Sequence, residues 1–225
     1  SQAITRFAWM QISVKADVKD LQRKLSKAKR QIPFAIKRGL DSTAFDLQRD
    51  LKKTLPKYVH NPVAYTKAGI QVEKATKTKL IAEVGFASKS FGRTKGSIPQ
   101  ADYMKRLIEG GTRRPKGSAI PVPYPKNMKA NKAGNIPRGK INRLLSDKNK
   151  YFSGEPKGAK REGGAGIWKR TGKGKNAKIK MVIAWEPKTD YQKSYPFKTI
   201  AMNFVKKNFR KNLDNAIVHA LKTAR

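Results

Sequence analysis

The stretch AIKRGLDSTAFDLQRDLKKTL (Ala35–Leu55) decides the fold, because its apolar residues form a single face of a long helix. They return at steps of three and four, the period of an α-helix, at Ile36, Leu40, Ala44, Leu47, Leu51 and Leu55. Pro33 precedes this stripe and Pro56 ends it, since a proline inside a helix removes a backbone hydrogen bond. The sequence therefore predicts a long amphipathic helix whose apolar face must be buried against another element.

Two more stripes of the same period lie toward the ends of the chain. The first begins after Asp17, which stands where a helix N-cap would. It predicts a helix that is either separate from the Ala35–Leu55 helix or joined to it by a kink at Pro33. The second follows Pro196 and predicts a closing amphipathic helix that runs almost to the last residue. Their apolar members are Val18, Leu21, Leu25, Ala28 and Ile32 in the first stripe, and Ile200, Phe204, Val205, Phe209, Leu213, Ile217, Val218 and Leu221 in the second.

Strand patterns separate these helices. The residues AGIQVEKATKTKLIAEVGF (Ala68–Phe86) predict a hairpin, because two apolar segments flank a polar connection. Further strands are predicted at Ile4–Val14, Gly166–Arg170 and Ala177–Pro187, and short helices at Tyr103–Glu109 and Arg138–Ser146.

Together these patterns predict an α+β fold, in which a small antiparallel sheet packs against long amphipathic helices. At 225 residues the chain is predicted to form a single domain, 1–225, with a long, basic, loop-rich and irregular insertion at 88–165. We expect the Ile36–Leu55 and Ile200–Leu221 stripes to pack on one face of a single sheet that contains Ile70, Val72, Ile81, Val84 and Val182.

The insertion contains the stretch LIEGGTRRPKGSAIPVPYPKN (Leu107–Asn127), where paired glycines and closely spaced prolines favour neither a helix nor a central strand. The positive charge concentrates in the same region. The chain has 52 Lys and Arg against 15 Asp and Glu, a net charge of +37, and residues 89–180 alone hold 25 against 5. The simplest interpretation of this positive charge is a solvated surface, and the more specific one is contact with an anionic partner.

Phosphates of DNA, or acidic side chains on partner subunits, are the anions that such a surface would neutralise. Lysines on glycine-spaced loops suit backbone contact that is independent of DNA sequence. The tryptophans all fall in predicted strands, where core packing accounts for them better than a platform for stacked bases. The residues predicted to contact DNA or an acidic partner are Arg113, Arg114, Lys116, Lys126, Lys129, Lys132, Lys157, Lys160, Arg161, Lys173 and Lys175.

Several classes of function are disfavoured by the sequence. There is no cysteine for a thiolate metal site or a disulfide, and the two histidines, His60 and His219, are far apart. The run TGKGK (Thr171–Lys175) lies between predicted strands and lacks the following helix that a phosphate-binding loop requires. We therefore predict a protein that is not an enzyme and that needs no cofactor or metal. No apolar run reaches the length of a membrane span and no secretory signal is evident, so we expect a soluble, intracellular protein.

The order of these segments resembles the tail-completion proteins of tailed bacteriophages, specifically the minor tail protein Z family of lambda-like phages. The likeness starts with the Ala35–Leu55 helix and the hairpin after it. It continues in YMKRLIEGGTRRPKG, NKAGNIPRGKINRLLS, YFSGEPKG and GIWKR, and it closes with YPFKTIAMNFVKKNFRKNLDNAIVHALKTAR. The resemblance rests on this ordered series, because no single motif in it is catalytic.

The resemblance implies a structural virion protein at the head-proximal end of the tail, in the neck, that acts in tail completion and head–tail joining. During assembly it would be present in the host cytoplasm. The family implies a ring, for which tail symmetry suggests six copies, with twelve or an unmatched number as the alternatives. Its partners would be tail terminator, tail tube or connector proteins, with DNA as a further contact and no membrane. The Leu107–Asn127 excursion would be an assembly arm.

Composition also fits a second class of protein. A ribosomal-type RNA-binding protein would share the high lysine content and the long basic loops. The feature that favours the phage class is the pair of well-patterned long helices that frame a hairpin. The RNA-binding protein is therefore the alternative hypothesis.

Overall fold

The structure is a computed structural model, which describes residues 11–15, 31–93, 98–115, 117–156 and 164–223. The chain forms two compact units: unit 1 combines Ser1–Glu109 with Lys193–Arg225, and unit 2 is Gly110–Gln192. The predicted helix after Asp17, except for its last stripe residue Ile32, and the predicted strand residues before Gln11 lie outside the described residues.

The mixture of long helices and small antiparallel sheets confirms the predicted α+β fold. The helices are α1 (Ile32–Thr54), α2 (Ala64–Ala68), α3 (Gln100–Glu109), α4 (Lys140–Ser146) and α5 (Phe197–Thr223). The strands are β1 (Gln11–Lys15), β2 (Ile70–Glu73), β3 (Ile81–Phe86), β4 (Gly111–Arg113), β5 (Ile120–Pro123), β6 (Tyr151–Gly154), β7 (Gly166–Thr171), β8 (Lys178–Glu186) and β9 (Thr189–Tyr191).

The sheet of unit 1 is antiparallel and has the strand order β1–β3–β2. Strands β2 and β3 form the predicted hairpin, in which Ile70 lies opposite Phe86 and Val72 opposite Val84. Thr76 closes its connection, because the Thr76 hydroxyl accepts a hydrogen bond of 2.8 Å from the backbone N–H of Lys79. The hairpin prediction is confirmed.

The core of unit 1 is built on the predicted stripe of α1. All six members of that stripe are buried, and they pack with β2, β3 and α5. The α5 prediction is correct for the first half of the helix, where Val205 is buried and Ile200, Phe204, Phe209 and Leu213 pack partly buried against the core. Phe197 and Ala201, which the predicted stripe did not include, are buried as well. In the second half the buried residues are Ala216 and Ala220, whereas Val218 and Leu221 are exposed.

The close approach of α1 and α5 occurs at Gly39. A Cβ atom added to Gly39 would lie 3.0 Å from the Cα atom of Leu213, so a side chain there would push against the backbone of α5. Next to this point, the side-chain amide of Asn212 donates to Thr43 Oγ1 at 3.2 Å and to Asp46 Oδ2 at 2.9 Å. A glycine contact and a polar clamp therefore fix how the two helices pack.

Replacing Gly39 by Leu should destabilise unit 1 by about 1–3 kcal/mol, because overpacking forces the helices apart. The loss should appear even though Leu favours a helix over Gly by roughly 0.8 kcal/mol. The control is Ser42→Leu on the exposed side of the same helix, which should change stability little. Denaturant unfolding followed by circular dichroism measures both variants, and equal stabilities would contradict the close packing at Gly39.

Unit 2 contains a four-stranded antiparallel sheet, in the order β5–β8–β7–β6, and a separate pair formed by β4 and β9. The prediction that Val182 joins the sheet of unit 1 is therefore wrong, since Val182 lies in β8. Its strand pattern is correct, but a strand pattern does not tell which sheet a strand enters.

The region predicted as an irregular insertion at 88–165 contains β4, β5 and β6, and unit 2 instead extends over Gly110–Gln192. The Leu107–Asn127 excursion is consequently no free arm, because β4 and β5 are both paired. The backbone N–H of Tyr124 donates to the Val182 carbonyl at 2.9 Å. Backbone nitrogens alternate between the two edges of a strand, so the nitrogens of Pro121 and Pro123 point away from β8. They lie at the outer edge of the sheet, where a strand tolerates proline.

One face of the four-stranded sheet is covered by α4 and the segment that precedes it. Ile167 and Ile183 from the sheet are fully buried there against Leu144 of α4 and Met128. The predicted core role of Trp168 is confirmed: it is 6% exposed, and its indole N–H donates to the Gly154 carbonyl at 3.0 Å. Unit 2 therefore has its own small core, which holds the sheet rigid.

Candidate anion-binding surface

Unit 2 carries a large excess of positive charge on a small core. Residues 110–192 hold 21 Lys and Arg against 5 Asp and Glu. Two of these acids have local roles: the Asp190 carboxylate accepts a hydrogen bond from the Thr112 hydroxyl, and Asp147 Oδ1 accepts one of 3.2 Å from the backbone N–H of Lys150. The surface is therefore basic and poor in acids.

The predicted contact residues that the structure describes are exposed, as that prediction requires. They are Arg113, Arg114, Lys126, Lys129, Lys132 and Lys173. Lys116, Lys157, Lys160 and Arg161 lie outside the described residues, as does the side chain of Lys175.

The structure does not gather the predicted residues into one site. Arg113 lies opposite Thr189, which follows the end of β8, whereas Lys173 belongs to the turn that precedes the start of β8. Strand β8 has nine residues, and at about 3.3 Å per residue it separates these two ends by about 26 Å. Arg113 and Arg114 thus lie at one end of unit 2 and Lys173 at the other.

The end of unit 2 that carries Lys173 holds a group of lysines that the sequence patterns did not reveal. Lys169 on β7 lies directly opposite Lys180 on β8, and Thr171 lies opposite Lys178. Opposite residues share a face of the sheet, and so do residues two positions apart on a strand. Lys169, Lys178 and Lys180, which we call the lysine face, therefore project from the same side of the β7–β8 hairpin.

Lys126 belongs to a turn that contacts β8 near the lysine face. The side-chain amide of Asn127 donates to the Met181 carbonyl at 2.7 Å, which places the turn after Tyr124 against β8 at the residue after Lys180. Lys129 and Lys132 follow in the same segment, which is anchored by buried Met128.

Local contacts make the hairpin rigid. The guanidinium of Arg170 donates from Nη1 to the carbonyls of Lys148 at 2.8 Å and Tyr151 at 3.3 Å, and its carbon lies 4.5 Å from the ring centroid of Phe152. At the turn, Gly172 has a φ of 78°, and a Cβ there would lie 2.2 Å from the Asn176 carbonyl oxygen. Only glycine fits that position, so the TGKGKN run is a tight connector between strands.

A groove of about 1000 Å³ on unit 2 has a different character from the lysine face. Its described lining includes Val122, Tyr124, Trp185 and Glu186, and contains no Lys or Arg. The indole N–H of Trp185 donates to Ser153 Oγ at 3.0 Å, which fixes the ring beside the groove. Phosphates would find no cation among these residues, so we assign no anion site to the groove.

Neither histidine belongs to a group of catalytic side chains in the described part of the chain. His60 lies in an exposed turn, and His219 Nδ1 is 3.3 Å from Arg38 Nη1 on the α1–α5 pair. Across residues 11–15, 31–93, 98–115, 117–156 and 164–223, no three His, Asp or Glu side chains are grouped so that they could hold a metal ion. The same ranges contain no helix long and apolar enough to cross a membrane.

Among the described residues of unit 1, three side chains have shifted pKa values, all mainly through burial. Burial lowers the pKa of Lys52 and raises that of Tyr103, whose hydroxyl lies 3.0 Å from Thr66 Oγ1. The pKa of Tyr195 is raised by burial and, further, by Tyr58 and Asp50. Tyr195 is 1% exposed and its ring packs edge-on against Phe86 and Phe197, so we interpret it as a core residue.

The comparisons with known proteins assign no family to the chain. No protein-family model, no curated protein and no solved structure matches it. The chemistry of the basic surface and the order of the sequence segments therefore carry the proposal that follows.

Proposed function

We propose that the chain is a structural component of a phage particle, located in the neck at the head-proximal end of the tail, that acts in tail completion and head–tail joining. The observation that carries the proposal is the basic, acid-poor surface of unit 2, mounted on a rigid sheet. Such a surface is useful beside a permanent polyanion, which a DNA-filled neck with acidic neighbouring subunits would provide. The segment order that resembles the tail-completion proteins supplies the location.

In this proposal the two units have different tasks. Unit 1, with its apolar core and the clamped α1–α5 pair, is the scaffold. Unit 2 presents cations from strands and tight turns, where less conformational freedom is lost on binding than in a free loop. Tail terminator, tail tube or connector proteins are its proposed protein partners, and DNA is the proposed polymer. No catalytic step, cofactor or metal is part of the proposed role.

The proposed ring would not be built by adding strands to the four-stranded sheet. At the β5 edge, Pro121 and Pro123 have no backbone N–H group that could donate to an added strand. At the β6 edge, Tyr151 is already used: its N–H donates to the Asp147 carbonyl at 2.9 Å and its carbonyl accepts from Arg170. Copies of the chain would therefore meet through surfaces other than the edges of this sheet. Six copies is the number that tail symmetry suggests.

The experiment that tests the proposal removes the reading frame from the genome that carries it. We expect filled heads and separate tails to accumulate, with infectivity restored when the intact chain is supplied in trans. Negative-stain electron microscopy of the lysates measures this, and light scattering of the purified chain measures its copy number. Joined, infectious particles without the chain would contradict the proposed role.

The alternative RNA-binding role predicts a different distribution in the cell. A ribosomal-type protein would sediment with ribosomal subunits in a density gradient and would leave them at high salt, since phosphate contacts weaken with salt. The proposed phage role places the chain in particles and free tails. One gradient probed with an antibody to the chain therefore separates the two hypotheses.

A further inference from the structure

We propose that the lysine face, formed by Lys169, Lys178 and Lys180, binds the phosphate backbone of a nucleic-acid duplex independently of its sequence. The inference rests on the proposed function for the source of the polymer, which would be the DNA in the neck. It goes further by placing the contact on one hairpin face of unit 2.

The first argument is the arrangement of charge. Lys169 and Lys180 are directly opposite on neighbouring strands, and Lys178 lies two residues from Lys180 on the same face. Like charges at opposite positions destabilise a sheet. None of the three lysines forms an ion pair with a carboxylate among the described residues. A bound anion would relieve this repulsion, so the arrangement favours an anionic ligand over empty solvent.

The second argument is the size of the lysine face. Neighbouring strands lie about 4.8 Å apart and residues two apart on a strand about 6.7 Å apart. All three lysines therefore lie within about 10 Å, which is one Debye length at about 0.1 M salt, so their fields add rather than being screened from one another. A duplex presents one charge per roughly 1.7 Å of its axis. A polymer of that charge density can meet all three lysines at once.

The third argument concerns the chemical kind of contact. Arg170, the arginine of this hairpin, is held by carbonyls and by Phe152, so lysine ammonium groups make up the lysine face. An ammonium is a compact point charge that binds phosphate without the paired geometry that an arginine fork brings to a carboxylate. Phe152 alternates to the other face from Tyr151, and Tyr151 is half-buried. The face therefore lacks a stacking platform for single-stranded bases.

The fourth argument is the partial burial of Lys169, which favours an ordered side chain for phosphate binding. Lys169 is half-buried and lies opposite Tyr151 of β6, at the border of the packed part of the sheet. Ile167, two residues earlier on the same face, is fully buried. A lysine at the border of a core keeps its charged end in water while its stem is held, which orders the charge before any ligand arrives.

The test compares two triple variants of the full chain that remove the same charge. One replaces Lys169, Lys178 and Lys180 by Gln. The other replaces Lys206, Lys207 and Lys211, which are exposed on α5 of unit 1. Fluorescence anisotropy with a labelled DNA duplex gives the affinity of each variant between about 50 and 200 mM salt, the range over which phosphate contacts weaken steeply. Circular dichroism confirms that both are folded.

We expect the plot of log affinity against log salt to be less steep for the lysine-face variant. The magnitude of its negative slope should decrease by about 2–3, at about 0.9 for each phosphate that is no longer neutralised. The α5 variant should leave the slope near that of the unmodified chain, and replacement of the three lysines by Arg should retain it. Because repulsion is removed, the unbound lysine-face variant should melt at the same temperature or higher. Equal slopes for the two Gln variants would overturn the proposal.

Two further probes identify the ligand. A DNA duplex and an RNA duplex share the phosphate backbone, so a comparable decrease in affinity for both supports the site, and the stronger binder identifies the source. Polyglutamate is the acidic-protein control: if its binding depends on the lysine face as much as DNA binding does, the site is one for carboxylates and the inference is wrong. If the binding assays contradict the lysine face, the deletion experiment still tests the proposed function. If particles join normally without the chain, the proposed function is wrong, but the binding assays still test the lysine face.

Discussion

Replacing Leu47 by Asp should prevent unit 1 from folding. Leu47 is 0% exposed, in the middle of the α1 stripe, and it packs in the core that α1 shares with the sheet and α5. The change removes roughly 1.5–3 kcal/mol of apolar burial and places a carboxylate where water cannot reach it. The sum exceeds about 4 kcal/mol, which is comparable with the whole stability of many domains, about 5–15 kcal/mol.

The measurement is soluble yield together with helix content by circular dichroism. The matched control is Phe45→Asp, two residues away on the same helix, where the side chain is 38% exposed and a carboxylate stays hydrated. We expect the control to fold and the Leu47→Asp chain to aggregate. A soluble Leu47→Asp protein with native helix content would show that the α1 stripe does not form the core.

Much of unit 1 could be predicted from the sequence because its elements are long and its periods are clear. The stripe of α1 needed six apolar residues at helical spacing, and the hairpin needed two apolar segments around a polar connection. The second half of α5 was harder. Its apolar pattern at Val218 and Leu221 indicated burial, yet both are exposed and Ala216 and Ala220 are the buried residues. A hydrophobicity pattern does not encode which side of a long helix its neighbours cover.

Unit 2 was harder to predict because its strands are short and its contacts are set by pairing. Strand β4 has three residues and β5 carries two prolines, so neither resembles a central strand in sequence. The lysine face depends on register: Lys169 and Lys180 are neighbours only because β7 and β8 pair across the Gly172 turn. Composition groups Arg113 and Arg114 with Lys173, whereas the length of β8 separates them.

Replacing all of Gly110–Gln192 by a short Gly-Ser linker should leave unit 1 folded. The chain leaves and re-enters unit 1 at one place, because the backbone N–H groups of Ser194 and Tyr195 both donate to the Leu107 carbonyl at 2.9 Å. A linker of about 2–6 residues, the ordinary length of a connection in a compact domain, can therefore join Glu109 to Lys193. Every residue of the unit 1 core lies outside the excised segment.

We expect the excised chain to be soluble, to unfold cooperatively and to lose most of its affinity for duplex DNA, because the lysine face is removed with unit 2. The matched comparison is the much shorter deletion of Thr112–Pro125. That deletion removes β4 and β5, takes away buried Ile120 and exposes the hydrogen-bonding edge of β8. An uncovered strand edge promotes aggregation, so the smaller deletion should be the more damaging one. If instead the Thr112–Pro125 deletion folds well and the excision of unit 2 unfolds unit 1, the division of the chain into two separately cored units is wrong.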